Sequence, residues 1–512
     1  MTLDTDDIGR SHQRAIVWAG VSGALFVYTA FMAIAASRAG WVFEYPLDDV
    51  YIHLAIAEQI AGGGYGVNPG ENASAASSPL YPFLLTPYAG TALHRWMPLA
   101  WNLAGLVIAA ALFAQAMAWA GLARSGVILA ALAPFALAIY VTAFTGMENV
   151  LHVAANMLIV LGLWRFVETG SLWWGLFLGV VLASALRFEG LAMGMASGSV
   201  VLLLGRPIAG LALIAATVTP PLVFAGFLMA QGLDPVPSSV VAKLGDVQGG
   251  GPLGRLMLNA SAYGGRYLLG LSVVLMLLGL AVLRRNRRRA YFALAIGGSG
   301  LAHLAFGSVG WMDRYETYAT VACVAAIALV LKGFAPPTGT IGVALALAGG
   351  VATYAPYALS VYAWNPTAIA QQQGEMARFA KEFVKAPIAV NDIGYVAWRN
   401  PDYVLDLWGL ASAEALQARR TATEPGWAGA LAEDKGTTLA MVYDEWFEDA
   451  VPPDWMRLGV LQLAIPTAFL GGREVAFYAT SPEYADELRA HISAWEKSLP
   501  PRATFQPAVT RP

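Results

Sequence analysis

The sequence predicts a polytopic α-helical membrane protein with a soluble α/β domain at its C-terminal end. Three observations lead there. The 512 residues are 57% hydrophobic and only 13% charged, with a mean hydropathy of +0.56. Long apolar runs recur from Arg14 to Tyr362, and about 20 apolar residues suffice to cross a hydrocarbon core. After Trp364-Asn365-Pro366 the chain turns polar and its pattern changes. A net charge of −3 makes no case for nucleic-acid binding. The single cysteine, Cys323, lies in an apolar run and can form no internal disulfide.

Eleven runs are expected to span the membrane, at roughly 14–37, 97–120, 126–143, 149–167, 172–186, 190–204, 208–230, 267–283, 290–309, 316–331 and 339–361. The first ends in AIAASRAG, which imitates a signal-peptidase site. Its length of about 23 residues and its acidic leader (Asp4, Asp6, Asp7) favour an uncleaved span. The two runs flanking Arg187-Phe188-Glu189 are short, and charge decides against fusing them. With eleven spans, Arg10, Arg14, Arg124, Arg165, Arg206, the RRNRRR stretch 284–289 and Lys332 share one side. The positive-inside rule makes that side cytoplasmic. The opposite, exoplasmic side then receives loop 38–96, Gly146-Met147-Glu148, Arg187 with Glu189, loop 232–266 and Trp311-Met312-Asp313-Arg314. Charges at the membrane edge are costly and usually face a protein-lined cavity.

Residues 1–365 are thus read as a transmembrane module and 366–500 as an exoplasmic α/β domain. The latter opens on a polar helix at about 367–384. Alternating runs follow at Ile388–Val390, Tyr403–Leu407, Leu439–Tyr443, Val460–Leu463 and Val475–Thr480, then a charged helix near 482–498. The Pro-rich tail, 501–512, is expected to be disordered.

In the first exoplasmic loop, DDVYIHLAIAEQIAGGG reads as an amphipathic helix. Asp48 is its expected N-cap, Ile52, Ile56 and Ile60 form a stripe, and Gly62–Gly64 end it. At a helix N-terminus the dipole favours ionised Asp48 and Asp49. Asp48 then reads either as a cap alone or as a carboxylate able to take a proton from a hydroxyl. GGGYGVNPG lacks the lysine and the strand–helix setting of a phosphate loop. Asp49 with His53 is too small a set for a metal.

An acidic pair opening a helix in the first exoplasmic loop resembles the GT-C superfamily of polyprenyl-phosphate-sugar-dependent glycosyltransferases. The terminal arabinofuranosyltransferases and the wider protein-mannosyltransferase and aminoarabinose-transferase group are the most similar. GENASAASSPLYPFLL, FTGMEN (144–149), LRFEG (186–190, with Phe188 in place of a proline), DPVPSSVVAKLGD, MDRYE and NDIGYVAWRN…VLDLWGL add to the likeness, from about residue 14 to 415. The resemblance implies a GT-C-like fold in a bacterial inner membrane, with the N-terminus cytoplasmic and the C-terminal domain periplasmic. It implies transfer of a sugar, such as a pentofuranose, from a polyprenyl phosphate to a glycan, glycolipid or protein acceptor, with inversion. Asp48, at the family's usual position, would act as the general base, and Asp49 would hold the acceptor or the helix geometry. Lys243, Arg187 and Arg314 would meet the donor phosphate, and His53, Glu148, Glu189 and Asp313 would orient the acceptor or the arginines. No cofactor is firmly implied, and a divalent cation stays open. The competing reading is a transporter or flippase of a lipid-linked or small substrate, which should show an internal repeat around a midplane site.

Overall fold

The computed structural model describes residues 5–245, 251–334, 337–465 and 469–508, and of residues 5–10, 123 and 243–245 it describes the backbone only. The first part is helical: α1 (Thr5–Arg38), α2 (Asp49–Ala61), α3 (Tyr81–Leu85), α4 (Met97–Trp119), α5 (Ala123–Ala136), α6 (Ile139–Phe144), α7 (Asn149–Thr169), α8 (Trp174–Leu186), α9 (Gly190–Leu203), α10 (Pro207–Ala230), α11 (Ser238–Gly245), α12 (Gly251–Ser261), α13 (Tyr263–Val282), α14 (Arg287–Phe306), α15 (Thr317–Val330) and α16 (Thr338–Ser360). Among the described residues, six helical stretches are long and apolar enough to cross a membrane, and four apolar helices are shorter.

Two of the short ones shape the site. Helices α8 and α9, of 13 and 14 residues, reach only about 20 Å at 1.5 Å per residue. Their connection, Arg187-Phe188-Glu189, therefore falls short of the roughly 30 Å thickness of a hydrocarbon core. Arg187 is extended (φ −152°, ψ 142°) and breaks the helix. Gly190 lets the turn close, because a Cβ there would stand 2.4 Å from the Ala183 carbonyl carbon. The run expected as one helix at 126–143 is divided between α5 and α6 at Ala138, whose φ is 53°.

Helix α2 departs from the amphipathic expectation. Val50 to Ala57 are all buried, because the helix lies between the bundle and the C-terminal domain and has no free polar face.

That domain begins with α17 (Asn365–Gln371) and α18 (Gln373–Arg378), broken at Gln372 where a single polar helix was expected. Its six-stranded sheet has the order β2-β1-β3-β5-β4-β6, with β1 (Ile388–Val390), β2 (Val404–Asp406), β3 (Leu439–Val442), β4 (Met456–Leu463), β5 (Glu474–Ala479) and β6 (Ala503–Pro507). Strands β1, β2 and β3 are parallel, and the rest pair antiparallel. Short helices intervene: α19 (Gly394–Ala397), α20 (Ala413–Thr421), α21 (Ala428–Asp434) and α22 (Asp444–Phe447), with α23 (Ala485–Glu496) following β5. The tail expected to be disordered is ordered to residue 508. Ala503 and Phe505 are buried, with Phe505 packed edge-on to Phe477 (5.3 Å) and Trp495 (5.9 Å). Pro507 is tolerated because β6 is an edge strand, where a missing N–H costs no ladder bond.

Loop 38–96 and the C-terminal domain share one end of the bundle. Asn68 pairs with both backbone groups of Val404 at 3.0 Å, and Arg399 reaches Glu58 at 2.9 Å. At the other end Arg289 forks onto Glu168 (2.9 and 3.0 Å) and donates to the Lys332 carbonyl at 2.7 Å.

Candidate functional site

The acidic pair that opens α2 divides. Asp48 makes no side-chain cap on its own helix, contrary to the expectation. Its Oδ2 accepts from the Gly394 N–H (2.7 Å) and its Oδ1 from the Tyr395 N–H (2.8 Å), so it caps α19 of the C-terminal domain. A Cβ on residue 394 would stand 2.2 Å from the Asp48 carbonyl oxygen, so only glycine permits this approach. Tyr395 stacks on Tyr51 with centroids 4.0 Å apart and donates to Glu44 at 2.9 Å. Behind Asp48 lies Asp392, which accepts from Gln373 (2.7 Å) and Tyr443 (2.8 Å). Burial pushes the Asp48 carboxyl well up, and Asp392 adds to the rise against the pull of the two amides. Asp392 is raised as well, chiefly by burial. The expected dipole-favoured ionised Asp48 is thus corrected: enclosure and a second acid outweigh the helix end.

Asp49 faces the other way, toward the bundle, and its side chain keeps 28% exposure. It is ion-paired with Arg314, whose Nη2 also donates to the Tyr315 hydroxyl at 3.1 Å. The Tyr315 ring lies between two guanidiniums, 5.0 Å from that of Arg314 and 5.1 Å from that of Arg187. Arg187 donates to Glu148 at 2.6 Å and to Glu189 at 2.7 Å. Burial raises Glu189, but Arg187 overrides it and holds the carboxyl at about 2. His53, one turn after Asp49, stands 3.8 Å from Glu148 and edge-on to Tyr81 at 5.3 Å. Asp49, His53, Glu148, Arg187, Glu189 and Arg314 therefore form one continuous cluster.

Beside it is a cavity of about 380 Å³. Arg187, Glu189, Arg255 and Tyr315 supply its polar side, and Phe188, Leu191 and Phe306 its apolar wall. Arg255 comes from α12, which is inverted: Arg255 and Asn259 are buried, while Leu253, Met257 and Leu258 are more than half exposed. Asn259 anchors the helix on the Leu304 carbonyl at 2.8 Å. Sequence reasoning missed Arg255. The signal was there, as two polar residues four apart in an otherwise apolar segment.

Asp313 does not pair with Arg314. Gly310, Trp311, Met312 and Asp313 all have positive φ (87°, 50°, 61° and 56°), a left-handed turn costing roughly 1–2 kcal/mol per non-glycine residue. Buried Met312 against Asn365 and the Gly310 N–H bond to Glu316 (2.8 Å) hold it. The turn swings Asp313 away from its neighbour, beside Tyr362 and Glu316. Burial raises Asp313 to about 7. Lys243 lies on α11, and its side chain is outside the described residues. No group of three His, Cys, Asp or Glu among the described residues converges as a metal cage.

Residues 365–478 match a family described as a domain of unknown function, DUF8728. The match takes in Asp392, Gly394 and Tyr443 and stops short of the bundle. No curated protein matches the chain.

Proposed function

We propose that the chain is a membrane glycosyltransferase of the GT-C type that moves a sugar from a polyprenyl-phosphate donor to an exoplasmic acceptor. One observation carries the reading: a cavity lined by Arg187 and Arg255 together with Phe188, Leu191 and Phe306 is joined through Tyr315 and Arg314 to the partly exposed Asp49. A lipid phosphate has that same split character. Arg187 and Arg255 would face the phosphate, and Phe188, Leu191 and Phe306 the first isoprene units. Lys243, one turn beyond the cavity-lining Val240 on α11, is kept as a third phosphate contact.

In this reading Asp49 is the base. Both Asp48 oxygens are occupied by backbone amides, whereas Asp49 retains solvent access and is linked to the cavity lining through Arg314 and Tyr315. The acceptor hydroxyl loses its proton to Asp49 as it attacks the anomeric carbon from the face opposite the phosphate. The polyprenyl phosphate departs with its growing charge met by arginines already in place. Glu148 and Glu189 hold Arg187 in position, and the left-handed turn at 310–313 fixes Arg314 against Asp49.

The test is mass spectrometry of lipid retained by the purified protein, with transfer assayed from synthetic polyprenyl-phosphate sugars. Arg255→Ala should weaken donor binding. A protein that retains no polyprenyl phosphate and transfers none of a panel of sugars contradicts the proposal, and vectorial uptake without transfer would favour a transporter.

A further inference from the structure

A second cavity, of about 430 Å³, lies between the bundle and the C-terminal domain. The bundle side contributes Asn72, Ser74 and Asp234, and the domain side Gln417, Arg420 and Thr421 of α20. Its volume is that of a small-molecule site. Four features distinguish it from an ordinary gap between packed parts.

First, it sits at the carboxyl edge of the parallel strands. Helix α20 follows the loop that leaves β2, and in open α/β sheets ligands bind outside the carboxyl ends of parallel strands. Second, its rim is built. The Ser238 hydroxyl donates to the Leu410 carbonyl at 2.7 Å and lies 2.9 Å from that of Ser74, joining both parts of the chain there. Third, its lining carries one acid (Asp234) and one base (Arg420), with amides and hydroxyls otherwise, over apolar patches from Leu233, Val236 and Leu416. Such a lining suits a neutral ligand rich in hydroxyl groups.

Fourth, it adjoins the arginine cavity. Ser74 lines one cavity and Ser77 the other, and three residues span at most about 11 Å. On α11, Ser238 and Val241 face this cavity while Val240 faces the other. The partition is one irregular segment and one helical turn. A chain of a few sugar units seated here extends an end toward the arginine cavity.

We infer that this cleft binds the acceptor, a neutral glycan, with Arg420, Gln417 and Asp234 contacting its hydroxyls. The inference rests on the glycosyltransferase reading for its direction, and it assigns the C-terminal domain a part in substrate recognition.

The experiment uses the full chain in lipid nanodiscs. Neutral linear pentasaccharides, one of hexopyranose and one of pentofuranose units, are titrated by saturation-transfer NMR, with an oligogalacturonate and a decapeptide as comparators. Hydrogen exchange of residues 72–74 and 413–421 locates the bound ligand. Binding of a neutral pentasaccharide with protection of both segments is expected. Arg420→Ala and Gln417→Ala should each weaken it about tenfold, the loss of one well-made hydrogen bond to a charged or amide group. Ala413→Trp, which fills the cleft, should abolish it. Binding unaffected by all three variants, protection elsewhere, or preference for the anionic glycan or the peptide overturns the inference. Donor binding is measured in parallel on the wild type. A protein that binds polyprenyl phosphate but no pentasaccharide loses the cleft assignment alone. One that binds pentasaccharide in the cleft but neither retains nor turns over the lipid loses the transferase reading.

Discussion

Asp48 and Asp49 are adjacent in sequence and belong to different chemistry. The junction side, with Asp48, Asp392, Gln373, Tyr443 and Tyr395, holds its acids with amides and hydroxyls. The cavity side, with Asp49, Glu148 and Glu189, holds its acids with arginines. Acids without a cation are driven toward the protonated form, and their bonds close one part of the chain onto another. Acids that meet a guanidinium keep that guanidinium aimed, and Arg187 in turn holds Glu189 charged. The first arrangement is a fastener, and the second is the one that, in the proposed function, meets the donor phosphate. Asp313 is of the first kind, although it precedes Arg314 in the chain.

The largest break in this comparison should come from the arginine side. Arg187→Ala leaves Glu148 buried without its strongest partner, and breaking a buried ion pair costs about 3–5 kcal/mol. Thermal unfolding in detergent would measure it. Arg187→Met combined with Glu148→Gln should recover much of the stability while donor binding stays lost. Recovery of both would make the pair a purely structural one.

On the junction side, Gly394→Ala should cost about 1–3 kcal/mol, as overpacking does, because the new methyl collides with the Asp48 backbone. Limited proteolysis near residue 365 should accelerate. An unaltered cleavage rate would show that Asp48 is not the fastener described above.

The smallest effect concerns pH. Asp313 holds its proton to about 7 in the folded protein, against about 4 in the unfolded chain. The folded state binds more protons between these limits, so stability falls as pH rises through the window. Asp313→Asn should flatten the decline in melting temperature between about pH 5 and 7.5 that the linkage predicts. A wild-type profile already flat would mean that Asp313 is not protonated there.

Much of this architecture was legible from the sequence, because apolar runs and alternation report helices and strands directly. The break at Ala138 was not, since neither glycine nor proline marks it. Strand β6 was hidden by Pro507, by the preceding Pro500-Pro501 and by having only Ala503 and Phe505 to alternate. In the site, the charges could be gathered on one face by parity, but their pairing could not. Asp49 and Arg314 are 265 residues apart, and no local pattern links them. The direction of Asp48 was illegible for another reason. Its partners are backbone amides, which every sequence supplies, and the only side-chain trace is the absence of one at Gly394. The left-handed turn at 310–313 likewise runs against the preferences of Trp311 and Met312 and is imposed by tertiary packing.

The most direct measurement compares Asp48→Asn with Asp49→Asn in transfer from a synthetic polyprenyl-phosphate sugar, per folded molecule and at matched thermal stability. Positioned acid–base groups contribute about 10²–10⁴-fold. Asp49→Asn should lose that much, while Asp48→Asn should lose stability at the junction and keep its turnover within about tenfold, since that group holds structure and no proton in flight. Collapse of Asp48→Asn with near wild-type turnover in Asp49→Asn would contradict the division of the pair.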